Sequence, residues 1–360
     1  MDFMNLKNKP DAEKAFERIN AWMKQGIIDR VPVQFHGFDM TLKTDNFMSN
    51  WDSLKDRWFD SEYQINRFIK ALEKRNFLAE SFPVFWPNLG PDVFAAFYGI
   101  ELEYGDETSY AIHSKDTIED LIERLEFSKE NAYFKKLEEM TELALEMSEG
   151  RYYVGYSDFQ PGFGAVAAWR NPETLSLDLI MEPDGVKQLL KKASQDFQSI
   201  FDHFHNMLRK NNQPSLNWLE IPTSGKSHVP SCDFASLISE EHFIEFNLPL
   251  LQEEVKQMDY NVFHLDGKGV ARHIDSVLSI NEINAIQWVQ GVSDDKPIEQ
   301  WKPLIKKIQS AGKSVIVILE PNELTDFISD MKPEGILLCI PASSLEHELN
   351  MLKQISKWVR

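Results

Sequence analysis

Short apolar runs alternate with longer amphipathic segments along the whole chain, with no internal repeat and no low-complexity linker. Eight runs read as strands: 30–35 (RVPVQF), 78–85, 152–156, 215–220, 261–265 (NVFHL), 285–289 (AIQWV), 314–319 (SVIVIL) and 335–340 (GILLCI). Those in the C-terminal third are continuously apolar, the pattern of strands covered on both faces in a parallel sheet. Between the runs, helices are predicted over 11–24, 61–75, 183–208, 239–258, 269–278, 298–310, 323–329 and 344–358, with Ser239 placed to cap its helix. Residues 86–150 exceed a simple strand-to-helix connection. They hold a Pro/Gly-rich turn (WPNLGP, 86–91) and two acidic amphipathic helices, and read as an insertion or lid. Eight strands with interleaved helices predict an α/β fold of the TIM (β/α)8 barrel type, with an N-terminal helix and a helical insertion after strand 2. The whole chain, 1–360, then forms a single domain. A doubly wound sheet would place a tight Gly-rich turn after its first strand, and none follows Phe35. The G-x-G-x-x-A run at 162–167 stands behind Pro161, away from any strand-to-helix turn, and is not read as a dinucleotide site.

Composition narrows the partners. Acids number 57 against 38 bases, a formal charge of −19, and such a surface repels phosphate backbones, so no nucleic acid is expected. Two cysteines, Cys232 and Cys339, are too few for a disulfide scaffold and suit a reducing compartment. The first residues carry no apolar signal core, and no run approaches the roughly 18–20 apolar residues of a membrane span. A cytoplasmic protein with no membrane partner is expected.

A barrel collects its chemistry where the strands end. His36, Trp86, Asp158, Glu220, His264, Asp266, Trp288, Glu320 and Cys339 stand at or near those ends. Asp158, His36 and Glu220 are the candidate acid–base or substrate-binding groups. His264 and Asp266 are two apart on one strand and share a face. Imidazole and carboxylate are both zinc ligands, and Cys339 on the last strand offers a third. The alternative is a His–Asp hydrogen bond above a buried, apolar Cys339. Asp233, next to Cys232 in a loop, either caps or reaches the site. His203 and His205 face apart on a helix and read as surface residues.

Arg30-Val31-Pro32-Val33, the stretch 158–170 (DFQPGFGAVAAWR), the stretch 237–249 (LISEEHFIEFNLP) and the run from FHLDG to AIQWV resemble the uroporphyrinogen decarboxylase superfamily, over about residues 28 to 358. The resemblance implies a TIM barrel. True decarboxylases in it carry an Arg-rich loop, resembling RQAGR, soon after the first R-x-P. Here the segment is VQFHGFDM, without arginine, so a polycarboxylate would lack its counter-charges. The corrinoid-linked methyltransferase branch carries His-x-Cys at the fifth strand and a distal Cys at the eighth. His264-x-Asp266 and Cys339-Ile340-Pro341 with Glu348 resemble those places, with one carboxylate where the branch has a thiolate. The resemblance thus implies a methyltransferase. Zinc on His264, Asp266 and Cys339 would assist methyl transfer between a small-molecule donor or acceptor and the cobalamin of a separate corrinoid protein, since the chain has no D-x-H-x-x-G of its own. Trp86, Asn88 and Trp288 are the candidate cofactor contacts. The alternatives are a decarboxylase of porphyrin biosynthesis that needs no metal, and a non-catalytic barrel binding a tetrapyrrole or other small ligand.

Overall fold

The computed structural model describes residues 3–36 and 51–358. Six strands form one all-parallel sheet: β1 (Val33–His36), β6 (Ser227–His228), β7 (Tyr260–Asp266), β8 (Ala285–Val289), β9 (Ser314–Ile318) and β10 (Ile336–Pro341). Their order is β1-β10-β9-β8-β7-β6. Two further strands, β2 (Val84–Phe85) and β5 (Tyr153–Val154), pair in parallel with each other. The two remaining, β3 (Leu102–Tyr104) and β4 (Ser109–Ala111), make an antiparallel hairpin.

Hydrogen bonds join the pieces at both edges of the large sheet. Glu80 N donates to Val33 O (3.0 Å) and Phe35 N to Ser81 Oγ (2.8 Å), which ties the approach to β2 against β1. On the other side, Tyr156 N donates to Leu216 O (2.7 Å), and Ser227 N donates to Ser215 Oγ (2.9 Å). The strand expected at 215–220 does not form. Ser215 only bridges Thr223, and the sheet strand beside β7 comes from the polar residues Ser227 and His228 instead. Local chemistry explains the change. Asn217 Oδ1 accepts from Leu219 N in a tight turn, Glu220 takes a left-handed backbone (φ 57°), and Pro222 follows.

The strands are covered on both faces. Val262, Ala285, Ile316 and Leu337 meet Val84, Tyr153 and Leu216 in one apolar cluster, while Phe263, Ile286, Val315 and Leu338 face the helices in another. The register His264↔Gln287↔Ile316↔Leu337 therefore lies on the inner side. The first helix, Ala12–Trp22, closes the N-terminal end of this inner cluster. Ala15, Ile19 and Trp22 belong to that cluster, Trp22 Nε1 donates to Gly335 O (2.9 Å), and Ser314 Oγ donates to Trp22 O. A buried ion network braces the same region: Glu80, fully buried, accepts from Arg18, from both Nη atoms of Arg30 and from Val33 N.

Other expectations need adjustment. The helix expected over 183–208 is two, Pro183–Ser194 and Phe197–Lys210. The helix expected over 239–258 starts as foreseen, with Ser239 Oγ accepting from His242 N, but passes through a π turn at Phe243–Asn247. Residues 86–150 hold a short helix, the β3–β4 hairpin and the helices Ile118–Arg124 and Ala132–Ser148. Ala132–Ser148 lies in sequence between β2 and β5 as their crossover, so that part of the expected insertion belongs to the basic α/β pattern. Among the described residues no helix is long and apolar enough to cross a membrane.

Candidate functional site

The last residues of β7 carry the densest group of donor atoms. His264 and Asp266 share the inner face, as their spacing predicts. Beside them the chain after β6 makes an isolated parallel bridge, Ser231 to His264, while His264 N donates to Pro230 O (2.9 Å). That bridge delivers Asp233, the first residue of the turn Asp233–Leu237, to the end of β7. Ligand atoms of Asp233, His264 and Asp266 all lie within 4.8 Å of one another. Donors about 2.1 Å from one tetrahedral ion stand about 3.4 Å apart, so a cation would have to draw separations of up to 4.8 Å together.

Gln287 supports this arrangement from the neighbouring strand. Its Oε1 lies 2.6 Å from His264 Nδ1. An amide oxygen only accepts, so Nδ1 carries the proton and Nε2 presents its lone pair, the tautomer a metal-binding imidazole needs. Trp218 sets its ring edgewise to the same imidazole, with centroids 5.3 Å apart. The residues thus fit a divalent cation held by two carboxylates and one imidazole, a harder donor set than one with thiolate.

Asp158 follows β5 and is partly buried. Its Oδ2 accepts from Gln160 Nε2 (2.8 Å). Burial pushes its carboxyl up to about 6, against that hydrogen bond and the pull of the His264 and His228 imidazoles. His228 itself is buried, with Nε2 2.6 Å from Glu254 Oε1. Glu220 lies apart from this group, beside Gln34 and Cys339. Burial pushes its carboxyl up to about 7, opposed only by Arg75. Gln34 links this part to the strands: its Nε2 donates to Leu219 O (3.0 Å) and Glu220 O (3.3 Å), and its Oε1 accepts from Cys339 Sγ (3.4 Å).

Cys339 is therefore placed with Gln34 and Glu220 and is not a member of the Asp233–His264–Asp266 group. Burial, and then the nearby Glu220, push its thiol up to about 12, so it stays protonated there. His36 ends β1, exposed, with its carbonyl accepting from Ala342 N, and borders residues 37–50, outside the described part of the chain. Asn88 Oδ1 accepts from Gly90 N (2.7 Å) and shapes its own turn. Trp86 is partly buried with its Nε1 unpartnered among the described residues. Trp288 does not face the site. It is fully buried on the outer side of β8 against Trp301, at 4.7 Å between ring centroids. Gln287 takes the inward position. The signal was present in AIQWV, where the one polar residue shares a face with Ala285 and Val289. His203 and His205 are half-buried rather than free on the surface, one on Glu138 and one on Tyr156.

No family model matches the chain, and no curated protein matches it.

Proposed function

We propose that this chain is a metal-assisted methyltransferase that moves a methyl group between a small molecule and the cobalamin of a separate corrinoid protein. The single observation that carries the metal part is the Asp233–His264–Asp266 cluster with Gln287 behind its imidazole. Asp233 takes the ligand place that Cys339 would have filled. The choice of methyl transfer rests on the sequence resemblance. A divalent cation, zinc first, supplies a Lewis acid with open positions when bound there. The chain's own groups do the rest. Gln287 holds His264 in one tautomer. Asp158, neutral below about pH 6 and charged above, is placed to give or take a proton near the mouth. The hydrogen bonds from Glu80 N to Val33 O and from Tyr156 N to Leu216 O support closure of the strands into one eight-membered barrel, with 215–228 supplying the fourth member.

The test is metal content after zinc supplementation and dialysis. Wild type and Cys339→Ala are expected to hold close to one zinc per chain, and His264→Ala and Asp233→Ala to hold far less. Equal, low zinc in all four would overturn the site. Methyl transfer is checked separately, by following methylcobalamin absorbance with the zinc-loaded enzyme. Turnover of uroporphyrinogen instead would favour the decarboxylase alternative.

A further inference from the structure

Asp233 is the one proposed ligand that no sheet strand carries. It opens the turn Asp233–Leu237, and among the described residues nothing donates a hydrogen bond to its carboxylate. Where that carboxylate stands is therefore set by the backbone it hangs from. Part of the support is internal: Ala235 N donates to Cys232 O (3.0 Å) and Ser236 Oγ to Asp233 O (2.8 Å). The rest comes from outside, where two consecutive side chains meet two consecutive carbonyls of the turn. His273 Nε2 lies 3.0 Å from Ala235 O, and Arg272 Nη2 donates to Ser236 O. A carbonyl oxygen only accepts, so the His273 contact is an N–H donated to Ala235.

His273 is itself fixed. It is fully buried, and its ring lies flat on Phe243, with centroids 4.5 Å apart and planes at 6°. Its Nδ1 meets the Glu240 carboxylate, which also accepts from Ser276 Oγ. Arg272 Nε donates to Gly269 O (2.8 Å), and the chain runs so close to the turn there that a Cβ on Gly269 would come 2.9 Å from Ser236 Cβ. Arg272 and His273 belong to the segment that follows β7, the strand carrying His264 and Asp266. The clamp thus ties the third ligand to the stretch of chain that carries the other two. We infer, on the metal reading of that cluster, that His273, reinforced by Arg272, is a positioning residue: through Ala235 O it fixes the turn that brings the Asp233 carboxylate to His264 and Asp266. Neither side chain touches the cation. With the turn loose, binding must first order it, and affinity falls by that cost.

The test separates positioning from stability. Zinc affinity of the full chain is measured by chelator competition, with melting temperature alongside, and Asp233→Ala reports on the site itself. His273→Phe keeps an aromatic ring against Phe243 and removes both nitrogens. His273→Gln offers an amide N–H at about the reach of Nε2. Both variants are expected to melt lower, because both take the imidazole from Glu240. Zinc affinity is expected to fall about tenfold or more in His273→Phe, and His273→Gln to recover most of that loss. Should His273→Phe fail to fold, Arg272→Met, at an exposed position, is expected to weaken zinc about three- to tenfold, with Arg272→Lys restoring it. Zinc bound equally by wild type and by the Phe and Met variants, or an affinity that falls alike in both His273 variants as their stability does, overturns the clamp and leaves the site standing. Zinc bound by wild type no better than by Asp233→Ala overturns the site, and the role of the clamp with it.

Discussion

Glu220 offers a quantitative check on the electrostatics around Gln34 and Cys339. Its carboxyl holds its proton up to about pH 7 in the folded chain, because burial outweighs the attraction of Arg75. In the unfolded chain it titrates near the ordinary 4.5. Below 4.5 both states are protonated and the group contributes nothing. Between 4.5 and 7 the folded state binds more protons, so stability falls as pH rises, and above 7 the full cost is present. The difference of about 2.5 pH units corresponds to about 3 kcal/mol, and at pH 5 only about 1 kcal/mol of it has developed. Glu220→Gln keeps the shape and removes the ionisation. Relative to wild type the variant is expected to gain about 2 kcal/mol in stability between pH 5 and pH 8.5. At about 2 °C per kcal/mol for a chain of this size, the melting temperatures separate by about 4 °C more at the higher pH. Urea unfolding and thermal scans at both pH values check it. A difference between variant and wild type that does not change with pH, or that turns against the variant at pH 8.5, refutes the account. Glu220 also occupies the left-handed backbone region, which a non-glycine residue enters at a cost.

Gln287→Leu keeps the volume but removes the acceptor on His264 Nδ1, and zinc affinity is expected to fall about 10- to 100-fold in a chelator competition. An unchanged affinity would mean that the amide does not orient the imidazole. Glu80→Ala leaves the buried Arg30 guanidinium without its carboxylate, and a loss of about 3–5 kcal/mol in urea unfolding is expected. A loss under about 1 kcal/mol would show that the network is dispensable.

The parts of the fold legible in the sequence are those where one physical rule acts alone. The runs at 261–265, 285–289, 314–319 and 335–340 are apolar because helices cover one face and the inner cluster the other, and the structure places β7 to β10 within a residue or two of each. The rule failed at 215–220, where the apolar residues Leu216 and Leu219 pack inward without forming a strand. Their backbone is claimed by the Asn217 turn and by Gln34, which donates to both Leu219 O and Glu220 O. The segment that does pair with β7, Ser227 and His228, is polar, and its partners are distant in sequence: Ser215, Asn217 and Glu254. No local pattern announces a strand whose side chains are satisfied from elsewhere.

The site divides along the same line. His264 and Asp266 were visible because a strand's period of two puts them on one face whatever the rest of the molecule does. Their partners were not, because each arrives through tertiary contact. Asp233 comes by way of the Ser231 bridge, and Gln287 through the register of β8 on β7. Cys339 illustrates the converse. It stands on the inner face of β10, paired in register with Gln34 of β1, and a polar partner was waiting for it there. A neutral thiol donating to an amide needs no metal to justify its burial. The carboxylates of Asp233 and Asp266, exposed and crowded around one imidazole, repel each other unless a cation or proton joins them. On the proposed metal reading, that asymmetry favours Asp233 over Cys339 as the third ligand.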